Sequence, residues 1–535
     1  MPERNMTLYA SRAWVGGVFQ PARVDVVDGV ITSVATGDAA LRSGSAPGFT
    51  GNGHNVTESG VVAAASATSS SPAPLIVHVH DSAVLLPGLV DSHVHVNEPG
   101  RTEWEGFRSA TLAAAAGGIT TLIDMPLNAI PPTTTREALE IKREAAARSA
   151  YIDIGFWGGA VPENLGSLEP LHDGGVFGFK CFLSPSGVDE FGHLDREQLL
   201  AAMREIAALG SRIIIHAEDP ALFGDGGALG QGYERFLESR PPASEQSAID
   251  TIIDAVRLTG CRTHILHLSD GRALPAIREA KAEGLPITVE TCPHYLTIIA
   301  EEIPDGAVEF KCCPPIREAA NRDLLWEGIC DGTIDAIVSD HSPSTVELKR
   351  LGDGDFGLGW GGISGLQLGL SAVWTEANQR GIPLSTVLPL YTTGPALVAG
   401  LDKVPGLDSV GKITEGAPAH LTIFAPNEQL TVDARRLLHR NPISAYDGRT
   451  FAGHVRHTWL AGRTVFDVSS GGAGEAPQQR QPPAGQLLSA LPSGARPAPL
   501  PATESAQRPE TGAVSLSETG PVPLSAADKE KGRIA

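Results

Sequence analysis

The sequence predicts an α/β protein: a closed (β/α)8 barrel with a small β-sandwich domain built from both chain ends. Three observations lead there. Short apolar runs alternate with Ala/Glu/Arg-rich helical stretches from about residue 85 to 410, the pattern of a parallel sheet covered by helices. About eight such units fit that length, which favours a closed barrel over an open sheet. Short β-branched runs bounded by turns occupy both flanks of this region.

At the start of the chain, Ala22–Val27 and Val30–Val34 are β-branched runs joined by Asp28-Gly29, a two-residue hairpin signal. From 36 to 74 the composition turns to Gly, Ser, Ala, Thr and Pro. That mixture buries too little apolar area to order itself, so a flexible insertion is expected. Strand character resumes at Leu75–His80 and Val84–Val90. The barrel runs follow: Ile119–Asp124, Ile152–Phe156, Val176–Phe182, Arg212–His216, Thr263–His267, Ile287–Thr291 and Ile334–Asp340. Beyond Gly411, short strands return at Ala419–Phe424, His454–Leu460 and Gly462–Phe466. The expected partition is 1–84 and 411–468 for the small β domain, 85–410 for the barrel, and 469–535 for a disordered Gly/Pro/Gln/Ala/Ser tail.

Composition excludes some partners. Lys+Arg 41 against Asp+Glu 62 gives a net charge of -21, and an acidic surface repels phosphate backbones and anionic lipid. Nucleic acid and membrane are therefore not expected as partners. No run reaches the roughly 18 apolar residues of a membrane span, and the N-terminus has no apolar core of a signal peptide. The six cysteines form no CxxC pair and read as reduced, mostly buried thiols of a cytoplasmic protein.

The chemistry concentrates at the ends of the apolar runs. In Gly88-Leu-Val-Asp-Ser-His93-Val-His95 two imidazoles two residues apart face one side of an extended backbone. At the C-terminal mouth of a barrel strand they converge where active sites are built. His78-Val-His80 has the same spacing but precedes the Pro87-Gly88 turn, which places it in the small domain. Lys180 sits in the apolar run Val176–Leu183. Burial disfavours its ammonium and leaves a nucleophilic amine, able to add carbon dioxide as a carbamate. His216, His267 and Asp340 close three further runs; His264 starts the run that His267 ends. Four imidazoles, a carbamate and a carboxylate suit zinc, and cobalt, manganese or iron also fit.

These residues resemble the amidohydrolase superfamily, within it the cyclic amidases: dihydroorotases, hydantoinases/dihydropyrimidinases and allantoinases. The resemblance runs from about Leu8 to Val468. Asn97-Glu-Pro-Gly-Arg, Asp124-Met-Pro-Leu-Asn128, Ser239-Arg-Pro-Pro, Glu290-Thr-Cys-Pro-His-Tyr, Lys311-Cys-Cys-Pro-Pro-Ile-Arg and Trp360-Gly-Gly-Ile-Ser look most like allantoinases. The resemblance implies a first metal on His93 and His95, completed by Asp340, and a second on His216 and His267. Carbamylated Lys180 would bridge the two. A hydroxide held between the metals would attack a ring amide of allantoin to give allantoate, with Asp340 as the catalytic proton acceptor and donor. Substrate contacts are expected from Asn97, where dihydroorotases usually carry Arg for a carboxylate, and from Ser342. Hydantoinases place an oxyanion-donating Tyr shortly after the bridging Lys; here Cys181-Phe-Leu-Ser184-Pro-Ser186 offers serines only. His420 stands where relatives commonly carry Asp. A homotetramer is also implied. The alternatives are a hydantoinase or dihydropyrimidinase activity and a non-catalytic scaffold, the latter at odds with the six intact ligand positions.

Overall fold

The computed structural model describes residues 4–42, 75–224, 226–470 and 482–491. Its centre is a ring of parallel strands: Leu89–Val94, Ile119–Asp124, Asp153–Phe156, Phe179–Phe182, Arg212–His216, Arg262–Ile265, Ile287–Thr291 and Ala336–Ile337. Backbone hydrogen bonds close the seams. The Phe177 amide donates to Phe156 O at 3.0 Å, and the His95 amide donates to His341 O at 2.8 Å. Leu89–Val94 and Ile119–Asp124 are buried at every position, as expected of strands covered on both faces. Gly88 admits the first strand because a Cβ there would lie 2.1 Å from Thr120 Oγ1.

The helices carry their own start and stop chemistry. Asp195 and Gln198 form a capping box on Arg196–Ala208. Pro242 opens the helix Pro242–Thr259, and Gly260 ends it at φ 63°. No helix among the described residues is long and apolar enough to cross a membrane.

Both chain ends meet in one eight-stranded sheet. Its order is Arg463–Asp467, Thr450–Leu460, Leu421–Thr431, Val84–Pro87, Met6–Val15, Val18–Val27 and Val30–Thr36, with Leu75–Val79 also paired to Met6–Val15. The sheet rolls onto itself: the Ile31 amide donates to Ala417 O and the Ala419 amide to Gly29 O, both at 2.8 Å. Leu8, Val24, Val77, Leu421 and Trp459 fill the roll. His78 lies here, stacked on Tyr9 with centroids 5.2 Å apart. His420 Nε2 lies 3.2 Å from Asp153 Oδ2 and joins this sheet to the barrel floor.

Three boundaries differ from the sequence expectation. Val84–Pro87 pairs with Leu421–Phe424, so the small domain reaches Pro87 rather than residue 84. The run is apolar throughout because it lies between the sheet and the barrel. Asp38–Arg42 forms a short helix at the head of the expected flexible insertion; 43–74 lies outside the described residues. Residues 482–491, expected in the disordered tail, run beside the strand Asp153–Phe156. The Ile154 amide donates to Gln486 O at 2.9 Å and the Leu488 amide to Ile154 O at 2.8 Å. Leu487 and Leu488 supply apolar anchors that the surrounding Gly/Pro/Gln composition hides, and Leu488 is buried. The rest of the tail, 471–481 and 492–535, is outside the described residues.

Candidate metal centre

The predicted ligands come together at the C-terminal end of the barrel. His95, Lys180, His216, His267, Asp340 and Ser342 line one cavity of about 90 Å³, with His93 packed against it. The ligand atoms of His93, His95 and Asp340 lie within 4.8 Å of one another. Asp340 Oδ1 is 3.1 Å from His93 Nε2 and 3.5 Å from His95 Nε2. The His267 ring is 5.4 Å from His93 and 4.6 Å from His216, centroid to centroid. Lys180 Nζ lies 4.7 Å from the centre of the Phe182 ring. His267 and Asp340 hold φ of 34° and 41°, a left-handed backbone that non-glycine residues keep only where the surroundings impose it.

Partners outside the cavity fix which ring nitrogen faces it. Glu290 Oε1 lies 2.5 Å from His93 Nδ1, which leaves Nε2 toward Asp340. Glu218 Oε2 lies 2.8 Å from His216 Nε2, which leaves Nδ1 for the cavity. Arg240 Nη1 donates to the same Glu218 oxygen at 2.5 Å. Carboxylates behind metal-binding histidines set tautomer and ring orientation in this way.

The electrostatics follow from burial and neighbours. Burial would raise the Asp340 carboxyl, but the imidazoles of His93, His95 and His267 hold it well below the usual range. Burial pushes Lys180 down to about 8 against the pull of Asp340 and Glu290. Burial also brings His95 down to about 3 and lowers His267 strongly, so these rings are neutral and carry lone pairs. The buried Nδ1 atoms of His95 and His267 have no hydrogen-bond partner among the described residues. A buried polar atom without a partner calls for one, and this nitrogen and oxygen donor set fits divalent cations.

The two expected substrate contacts part ways. Ser342 lines the cavity, and its hydroxyl donates to Asp340 Oδ1 at 2.9 Å. Asn97 is buried beneath it, at φ 64°, donating to Pro343 O at 3.2 Å; Asn128, also at positive φ, is the amide that lines the cavity. Ser184 is buried, and Ser186 spends its hydroxyl on Phe191 O at 2.6 Å. Sequence reasoning assigned no role to Glu218, Arg240 or Glu290, although all three follow a ligand closely or stand in a quoted motif.

A match to the amidohydrolase family spans residues 84–465. The chain belongs to the amidohydrolase family. Members of this family are metal-dependent hydrolases. Among amidohydrolases, the chain is 56% identical over 384 residues to the allantoinase of Streptomyces avermitilis, covering 72% of this chain and 84% of that one. It is 44% identical to the allantoinase of Saccharomyces cerevisiae over 393 residues, with the same coverage of 72% and 84%. In structure it resembles the L-hydantoinase (dihydropyrimidinase) of Arthrobacter aurescens, with a TM-score of 0.76 and 26% identity over 90% of this chain and all of that one.

Proposed function

We propose that this amidohydrolase opens the hydantoin ring of allantoin to give allantoate. The observation that carries the reading is the 56% identity to an allantoinase over 84% of its length. The cavity supports it: Leu127, Phe182 and Trp360 wall a small space beside the candidate ligands. Its guanidinium, Arg240, is paired with Glu218, so it does not stand ready for a substrate carboxylate. A neutral ureide suits that lining better than dihydroorotate.

The residues fit two divalent cations, zinc foremost, with cobalt, manganese or iron also compatible. His93, His95 and Asp340 would hold the first, His216 and His267 the second, and Lys180 as its carbamate would bridge them. When bound, such cations acidify water and polarise an amide carbonyl. Asp340, ionised at neutral pH, takes the proton from the attacking water and passes it to the ring nitrogen as the C–N bond breaks. Ser342 steadies the Asp340 carboxylate through its 2.9 Å hydrogen bond. The carbonyl carbon keeps the water oxygen as a carboxylate, the second water proton passes to solvent, and the ring nitrogen leaves as the NH2 of a ureido group.

The likeness to an L-hydantoinase supports hydantoins as the second reading. Turnover of allantoin compared with 5-substituted hydantoins and dihydropyrimidines decides between them; faster hydantoin turnover overturns the allantoin reading. Metal analysis of the purified protein separates enzyme from scaffold, since less than about one cation per chain, with none taken up on reconstitution, would favour a scaffold. We further propose a homotetramer, by likeness to the cyclic amidases, and a cytoplasmic location, in keeping with six free cysteines. Light scattering and cell fractionation test these.

A further inference from the structure

The strand Arg262–Ile265 carries a histidine that is not among the candidate metal ligands. His264 is 2% exposed and faces the barrel interior one layer below the mouth. Its Nε2 lies 2.9 Å from Glu290 Oε2, and its Nδ1 lies 2.8 Å from Thr288 Oγ1. The other Glu290 oxygen faces His93 Nδ1 at 2.5 Å and accepts from the His267 amide at 3.4 Å. Thr288, His264, Glu290 and His93 therefore form one hydrogen-bonded column inside the barrel. It begins at a cavity of about 250 Å³ on the barrel floor, lined by Thr288 and His264, and ends on the ligands.

The protons in this column are determined one by its neighbour. Glu290 faces two imidazole nitrogens and one backbone amide, so its oxygens are the acceptors in all three contacts. The two nitrogens facing it must both donate. With Nε2 donating to Glu290, the other ring nitrogen of His264, Nδ1, meets the Thr288 hydroxyl at 2.8 Å. Among the described residues, Glu290 Oε2 has no hydrogen-bond partner other than His264. Without that partner, the carboxylate keeps only its Oε1 contacts to His93 Nδ1 and the His267 amide, and its orientation is restrained from one side alone.

We propose that His264 is a positioning residue of the metal centre, holding Glu290 in the orientation that presents His93 Nε2 to the first cation. The inference rests on the metal-centre reading above. It gives Thr288, which touches neither ligand nor cavity mouth, an indirect hold on metal affinity.

The test uses full-length protein and zinc, with affinity read by competition against a chromophoric chelator and unfolding midpoints read on the metal-free forms. His264→Leu fills the space without a donor, while His264→Gln returns an amide N–H near the Nε2 position. Thr288→Val keeps shape and removes only the hydroxyl. His264→Leu should weaken the tighter-defined first site about 10- to 100-fold; His264→Gln should stay within about threefold of wild type. Thr288→Val should weaken it several-fold with an unchanged midpoint. A merely space-filling His264 would leave zinc affinity alone and move only the midpoints, and that result overturns the proposal. Should His264→Leu fail to fold, wild-type affinity in Thr288→Val overturns it equally. If the wild-type protein itself takes up no zinc, the metal-centre reading falls first and the inference with it.

Discussion

Replacing Lys180 by Met should stabilise the metal-free protein while abolishing its activity. Lys180 is 1% exposed, and burial brings its ammonium from 10.5 down to about 8. The difference, 10.5 − 8, is worth about 3 kcal/mol at 1.36 kcal/mol per unit. The folded value is depressed, so the unfolded chain holds the proton more tightly. Below about pH 8 folding therefore carries the full cost of a buried ammonium, and that cost fades as pH rises from 8 toward 10.5. Met keeps the length and the contact with Phe182 without the charge. Urea unfolding of the metal-free forms should show Lys180→Met about 3 kcal/mol more stable at pH 7, with the gain shrinking by pH 10. The same depression leaves about a quarter of the wild-type amine neutral at pH 7.5, against roughly 0.1% for an ordinary lysine, which is the condition carbamylation needs. Allantoin turnover should vanish in the variant, and in Lys180→Ala return partly with short carboxylic acids. A variant less stable than wild type at pH 7, or one that keeps full activity, refutes this account of Lys180.

Glu218→Gln leaves Arg240 buried without its counter-charge and frees His216 Nε2; a loss of about 3–5 kcal/mol is expected by urea unfolding, with second-site zinc affinity down about 10- to 100-fold by chelator competition. Glu218 is held below the usual carboxylate range by Arg240 and His216 despite burial, so its contribution is present at neutral pH and lost as pH falls through that lowered value; acid unfolding of wild type should be the steeper. Asn97→Ala should cost about 2 kcal/mol, combining a lost hydrogen bond with a left-handed Ala, and should lower kcat more than it raises KM. Asn97→Gly keeps the backbone and isolates the amide; a large rise in KM with unchanged kcat would instead make Asn97 a substrate contact. Truncation after Ser470 removes the strap at 482–491 and the burial of Leu488, so the melting temperature should fall by an amount matching about 2–4 kcal/mol while kcat holds; an unchanged melting temperature shows the strap to be ornamental.

What could be read in the sequence, and what could not, divides along one physical line. A side chain at the end of an apolar run is aimed by its own backbone: Lys180 and His216 reach the cavity, with His93 beside it, because they lie at or near the ends of their strands. Period and position in the sequence already point to that end of the barrel. The rolled sheet was legible for the same reason, since Asp28-Gly29 and the alternating runs encode their own hairpin. Roles set by a partner elsewhere leave no such trace. His93 and Glu290 meet across 197 positions of sequence, so the charge that fixes the tautomer of His93 cannot be inferred from the His93 motif. The resemblance made Asn97 a substrate contact, and in the structure its backbone stands at φ 64° with the amide donating to Pro343 O.

The tail makes the converse case. Residues 482–491 have the composition of a disordered segment, but the strand Asp153–Phe156 pairs along only part of its outer edge with the next barrel run. An open edge inside a barrel is costly to leave unpaired, and the segment is held against it by Leu487, Leu488 and backbone hydrogen bonds to Ala150, Ile154 and Gly175. Composition predicts whether a segment can order itself; it does not predict whether the rest of the chain has left a place for it. The same reasoning applies to the column below the metal centre. His264 and His267 lie in one apolar run, the first at its start and the second at its end. Strand geometry separates them by three residues, which sends His267 to the mouth and His264 to the carboxylate that holds His93. Two histidines in one run therefore sit in different layers, His267 at the cavity and His264 against Glu290.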